Sequence, residues 1–188
     1  MPAPRITSTA NPRVKACARL RGRRERDKTG LTLIDGVRET LRALQGGAVL
    51  REVFIESELL VEPEAKALLE RLAEESVPLL ELSRDAFAKL AYGDRLDGVV
   101  AVAETPLRTL ADLVLPPEPL IGVIEGVEKP GNLGAVLRTA DGAGLNAVIV
   151  AESATDLFNP NIIRASLGTV FAVPVAVASS GDVLAWLQ

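Results

Sequence analysis

The chain of 188 residues contains no histidine and one cysteine, Cys17. The missing imidazole removes the side chain that most often acts as a base near neutral pH. Together with the single thiol it also removes the usual zinc ligand sets, so no metal is expected. No disulfide can form within the chain. Aromatic residues amount to 3%, so a core has to be built from Leu, Val, Ile and Ala. No apolar run reaches membrane-spanning length, and the N-terminus lacks the apolar core of a signal peptide. These absences read as a cytoplasmic protein with no membrane partner.

What is present is a globular composition, 48% hydrophobic and 24% charged. The net charge of −4 is unevenly spread. Residues 1–30 carry nine Lys/Arg against two Asp/Glu, and the rest carry twelve against twenty-three. A basic arm on an acidic body is a candidate phosphate-binding device, and equally a solvated terminus. Within it, Arg13, Lys15, Arg23 and Arg24 are the candidate nucleic-acid contacts.

The hydrophobic pattern alternates between strand and helix periods. Asn11-Pro12 starts a short helix through Val14, Cys17 and Leu20, interrupted at Arg21-Gly22-Arg23-Arg24. Strands are predicted at 31–35, 50–55, 78–82 and 98–103, with helices over 37–45, 63–75 and a short one capped by Ser83. This reads as an α/β domain over residues 1–104. Residues 105–119 hold prolines at 106, 116, 117 and 119 and read as a linker with a short helix near Leu110. Residues 120–188 give a β-α-β-α-β-α run, which implies parallel strands with crossover helices. In that run Leu120–Ile124 is expected as a buried strand and Phe171–Val177 as an extended segment. Three parallel strands are few for a sheet covered on both faces, so an apolar edge and bare helix faces are expected.

Two stretches of the second half could carry chemistry. The first runs from Glu125 to Ala140, through Lys129-Pro130-Gly131-Asn132-Leu133-Gly134, and leads from a strand into a helix. Such loops lie where open α/β sheets collect ligands. Asn132 is expected as the N-cap. Arg138 lies off the apolar stripe, one turn beyond Gly134. Helical side chains lean toward the N-terminus, so Arg138 is expected to run back over Gly134 to the loop. The second stretch is Asn159-Pro160-Asn161-Ile162-Ile163-Arg164-Ala165-Ser166-Leu167-Gly168. Asn159 is expected to cap a helix and Pro160 to open it. Arg164 is expected in the N-terminal half, where a cation gains nothing from the helix dipole, which hints at an anionic partner such as phosphate. A capping Asn and surface arginines would account for the same residues taken singly.

Taken together, the stretches resemble the first two motifs of SpoU-type (SPOUT/TrmH superfamily) RNA ribose 2′-O-methyltransferases. Asn132 and Arg138 stand six residues apart as in the first motif, and Asn159, Pro160, Arg164, Ser166 and Gly168 match the second. The Ile6–Lys15 and Ile34–Glu39 stretches are similar to the L30e-like α/β substrate-binding domain that such enzymes often carry. The resemblance implies methyl transfer from S-adenosylmethionine to a ribose 2′-hydroxyl of rRNA or tRNA by a homodimer. It implies Arg138 as the catalytic residue and Asn132 in the same pocket, while Arg164 and Asn159 are the candidate RNA contacts of the second motif. It also implies a third motif that forms a trefoil knot and most of the cofactor pocket. That motif is not found before Gln188, so the second unit is expected as a partial SPOUT parallel-sheet domain lacking its knotted part. Cofactor residues are unassigned, and the alternative is an RNA-binding module without catalysis.

Overall fold

The structure, a computed structural model, describes residues 5–61, 63–91, 97–106, 108–153 and 155–188. From Arg5 onward the basic lead-in is folded. Asn11 accepts a hydrogen bond from the Arg13 amide and Pro12 opens α1 (Pro12–Arg19), which buries Val14 and Cys17. A second helix, α2 (Arg23–Thr29), follows Gly22 and stops at Gly30, whose φ of +65° suits a helix end. This helix is not foreseen in the sequence. Its seven residues carry one buried side chain, so no apolar period announces it.

Then come β1 (Leu31–Asp35), α3 (Val37–Gln45), β2 (Leu50–Ile55), α4 (Pro63–Glu74), β3 (Leu79–Glu81), α5 (Arg84–Ala88) and β4 (Val99–Glu104). The strands form one sheet in the order β1-β4-β2-β3, with β4 antiparallel to both neighbours and β3 parallel to β2. Period-two alternation sends Ile34, Val53, Ile55, Val99 and Ala101 to one core and Leu33, Phe54, Val100 and Val102 to the other.

The second half holds β5 (Ile121–Glu125), α6 (Pro130–Ala143), β6 (Ala147–Ala151), α7 (Pro160–Ala165), α8 (Thr169–Ala172), β7 (Val175–Ala178) and α9 (Ser180–Leu187). It is an α/β unit with a parallel sheet in the order β5-β6-β7. Central β6 is fully buried, whereas β5 is half-exposed, with Val123 at 45%. The expected buried first strand is thus an edge, paired on one side only. The expected extended run from Phe171 is also corrected, because Phe171 and Ala172 belong to α8. An apolar run that short does not reveal its period.

The proline-rich segment is more than a tether. Arg108 donates to the carbonyls of Val173 (2.9 Å) and Phe171 (3.3 Å), and Val177 N–H donates to the Arg108 carbonyl. Leu110 and Leu113 pack with Val183 and Trp186 over Ile149 and Ala151. One face of the second sheet is therefore covered from within the chain. Val123, Val177, Leu184 and Leu187 remain exposed around β5 and α9.

The two sheets share a core. Ile34, Ala43 and Leu44 cluster with Leu133, Leu137, Ile162, Val170 and Phe171. A Cβ on Gly46 would lie 2.2 Å from the Phe171 carbonyl oxygen, and buried Thr32 donates to the Phe158 carbonyl at 2.7 Å.

Candidate functional site

The first motif opens earlier than its Asn suggests. Lys129 is the N-cap, Pro130 takes the first helical position, and Asn132 is exposed at the third, its amide donating to the Lys129 carbonyl. Proline's missing N–H is harmless there, so Pro130 rather than Asn132 sets the start of α6. The Asn132 side chain is left on the surface of the first turn, beside the loop after β5.

Gly134 serves α7 and not Arg138. A Cβ there would meet the Ala165 Cβ at 2.5 Å, the Ala165 carbonyl carbon at 2.6 Å and the Ser166 amide at 2.8 Å. The bare backbone lets α6 and α7 approach closely, and the path expected for Arg138 is filled by Ala165. Arg138 instead reaches across, its Nη1 donating to the Ala165 carbonyl at the end of α7. The side chain is exposed. Its position brings the first motif against the second.

In the second motif Asn159 caps α7 as expected, accepting from the Asn161 amide at 2.9 Å, and buried Pro160 takes the first position. The helix has only six residues, so Arg164 falls in its last turn, where the dipole favours a cation. The expected dipole argument for a phosphate partner therefore lapses. The Arg164 Nη1 lies 3.5 Å from Oδ2 of buried Asp35 at the end of β1. Ser166 is fully buried and donates to the Ile163 carbonyl, while Thr169 donates to the Ser166 carbonyl.

Gly168 has φ +82°, and a Cβ there would lie 3.0 Å from the Glu39 Cα and 3.1 Å from the Arg42 Cβ. This glycine meets both a left-handed backbone and the close approach of α3. Arg42 Nη1 donates to the Leu167 carbonyl at 3.0 Å. Neither Asp35 nor Arg42 stands out in the sequence, since their partners lie more than a hundred positions away. Only the Asp-Gly-Val-Arg-Glu run around Asp35 hinted at a role.

The basic lead-in is divided. Arg13 pairs with Glu52 through Nε at 2.8 Å, Arg23 lies 3.6 Å from Asp27, and Arg26 is 4% exposed and paired with Asp156 at 2.6 Å. Lys15 and Arg24 are exposed and form no ion pair among the described residues. The arm thus spends much of its charge within the protein. Among the described residues no group of three or more His, Cys, Asp or Glu side chains could hold a metal. Burial holds the Arg108 guanidinium below its usual pKa.

Comparison with known proteins covers both halves. The model of the MRM3-like substrate binding domain matches residues 11–101, and that of the SpoU rRNA Methylase family matches residues 119–188. The chain is similar to the 23S rRNA (guanosine(2553)-2′-O)-methyltransferase RlmP of Bacillus subtilis, at 31% identity over 90% of this chain and 63% of that one. It is also similar to the 23S rRNA (uridine(2479)-2′-O)-methyltransferase of Streptomyces viridochromogenes, at 31% identity over 100% and 65%. A solved RNA 2′-O ribose methyltransferase superposes with a TM-score of 0.83 at 45% identity, covering 98% of this chain and 69% of its own. The chain spans just under two thirds of these two curated relatives.

Proposed function

We propose, because this chain belongs to the SpoU rRNA methylase family, that the complete protein transfers a methyl group from S-adenosylmethionine to a ribose 2′-hydroxyl of rRNA. One observation carries the proposal. The Arg138 guanidinium stands exposed where the two motifs converge, on the turn that follows α7. We read residues 1–104 as the RNA-recognition domain and 120–188 as part of the catalytic domain. Asn132, in the first turn of α6, and Asn159 and Arg164, at the two ends of α7, are read as residues of the RNA-facing side.

The 2′-hydroxyl must lose its proton as its oxygen attacks. A guanidinium is almost never deprotonated, so Arg138 is not the base. It stabilises the developing alkoxide and grips the neighbouring phosphate, an electrostatic role. The proton leaves to that phosphate or to water.

The cleft at the carboxyl ends of β5 and β6 measures ≈250 Å³ and is lined by Val123, Glu125, Ala151, Ser180, Val183, Leu184 and Leu187. That is below the ~300–1,000 Å³ of ordinary small-molecule sites. Its small size supports a second reading for these 188 residues taken alone, in which they bind RNA without methyl transfer. Calorimetry with S-adenosylmethionine separates the two.

The exposed apolar residues Leu184, Leu187 and Val123 support a homodimer as the working form. Incubation of the complete gene product with methyl-labelled S-adenosylmethionine and rRNA tests the assignment. An alkali-resistant labelled dinucleotide is expected, because a methylated 2′-oxygen cannot cleave the chain. No transfer to any RNA would overturn it.

A further inference from the structure

We propose that Arg42, on α3 of the first sheet, is a positioning residue for Arg138, an inference that rests on the function assigned above. The turn 165–168 is held by guanidinium groups from both halves of the chain. Arg138 of α6 donates to the Ala165 carbonyl, and Arg42 of α3 donates to the Leu167 carbonyl at 3.0 Å. Two residues later in this turn than Ala165, the backbone is left-handed, with φ +55° at Leu167 and +82° at Gly168. A leucine in that region is costly and persists only where its surroundings over-determine it. The surroundings here come from the first sheet. Gly168 lies flush on the backbone of Glu39, and Asp35 pairs with Arg164 one turn earlier.

The carbonyl on which Arg138 leans is therefore fixed by α3 rather than by the second sheet alone. A displacement of α3 carries Ala165, and with it the guanidinium. Misplacing a catalytic group by about 1 Å costs on the order of 10²-fold in rate. Arg42 needs no contact with RNA to exert this effect. It ties the part of the protein that recognises RNA to the group that meets the reacting hydroxyl.

The test uses the complete gene product carrying Arg42→Ala or Arg42→Lys, with and without Arg138→Ala. Arg42→Ala should lower kcat by about tenfold or more while KM for RNA and cofactor affinity stay within about twofold. Arg42→Lys, which keeps the stem and one donor, should recover part of the loss, and it replaces Arg42→Ala if that variant unfolds. In the Arg138→Ala background Arg42→Ala should add less than about twofold, because the two act in series. Amide exchange over residues 165–169 should quicken in Arg42→Ala while β6 keeps its protection. Equal losses in both backgrounds, a rise in KM alone, or unchanged exchange in the turn would each overturn the proposal. If the wild type methylates no RNA, the functional assignment fails, and the exchange measurement still decides whether Arg42 holds the turn.

Discussion

Gly134 and Ala165 bring α6 and α7 into contact at the level of the backbone: a Cβ on the glycine would lie 2.5 Å from the alanine Cβ. One turn further along α6, Arg138 reaches the carbonyl of that same alanine. The glycine sets the helix separation and the arginine uses it. Gly134→Ala should overpack this contact and cost about 1–3 kcal/mol. Thermal denaturation should show a midpoint lowered by roughly 2–10 °C. A midpoint equal to wild type would show that the two helices do not meet there.

Arg26 is the buried cation that joins α2 to the second half of the chain. Its Nε and Nη2 face Asp156, and Nη1 donates to the carbonyls of Leu20 and Arg21 at 2.8 Å each. Asp156→Asn leaves that charge without its counterion and should cost about 3–5 kcal/mol, whereas Arg26→Met with Asp156→Asn should cost less than Asp156→Asn alone. Urea unfolding of the single and double variants decides this. Equal or larger loss in the double variant contradicts the account.

Cys17 is 2% exposed, and burial, then the Glu52 charge, raises its pKa far above the ordinary value of 9.0. Native protein at pH 9 should resist iodoacetamide and react once unfolded. The folded chain keeps its thiol proton where the unfolded chain loses it. The stabilisation is complete below about pH 9 and declines as pH rises above it. Cys17→Ala should therefore show a shallower alkaline loss of stability than wild type. Rapid labelling of the native thiol would refute the buried placement of α1.

Much of this fold was legible as a sequence because the signals are local. Pro12 and Pro160 open helices, Ser83 and Ser179 cap them, and Val99–Ala103 is uniformly β-branched or small. The site was legible as a set of residues and not as a geometry. The positions of Arg138, Asn132, Gly134 and Arg164 were read from helix rules applied to one helix at a time. The actual contacts are set by the crossing of α6 on α7 and of α3 on the α7–α8 turn. Arg42 and Asp35 were missed for the same reason, since no local pattern encodes a partner 125 or more residues away.

Charge in the basic lead-in should divide along the lines of its internal pairs. Lys15 and Arg24 are exposed without an ion pair among the described residues, while Arg13 is held by Glu52. Replacing Lys15 and Arg24 by Ala should weaken rRNA binding and reduce the slope of log Kobs against log salt by about 1–2. Arg13→Ala should change the slope by less. Filter binding across a salt series provides the check, and a slope indifferent to Lys15 and Arg24 would remove the lead-in from the RNA surface.

We propose that the Arg138 guanidinium stabilises charge that develops on the ribose oxygen. Single-turnover methyl transfer to rRNA by the complete gene product, wild type against Arg138→Lys and Arg138→Ala, tests it most directly. Arg138→Ala should lower the rate constant by about 10²–10³-fold with S-adenosylmethionine affinity unchanged, and lysine should restore only a small part. A rate constant within about threefold of wild type in Arg138→Ala would contradict it.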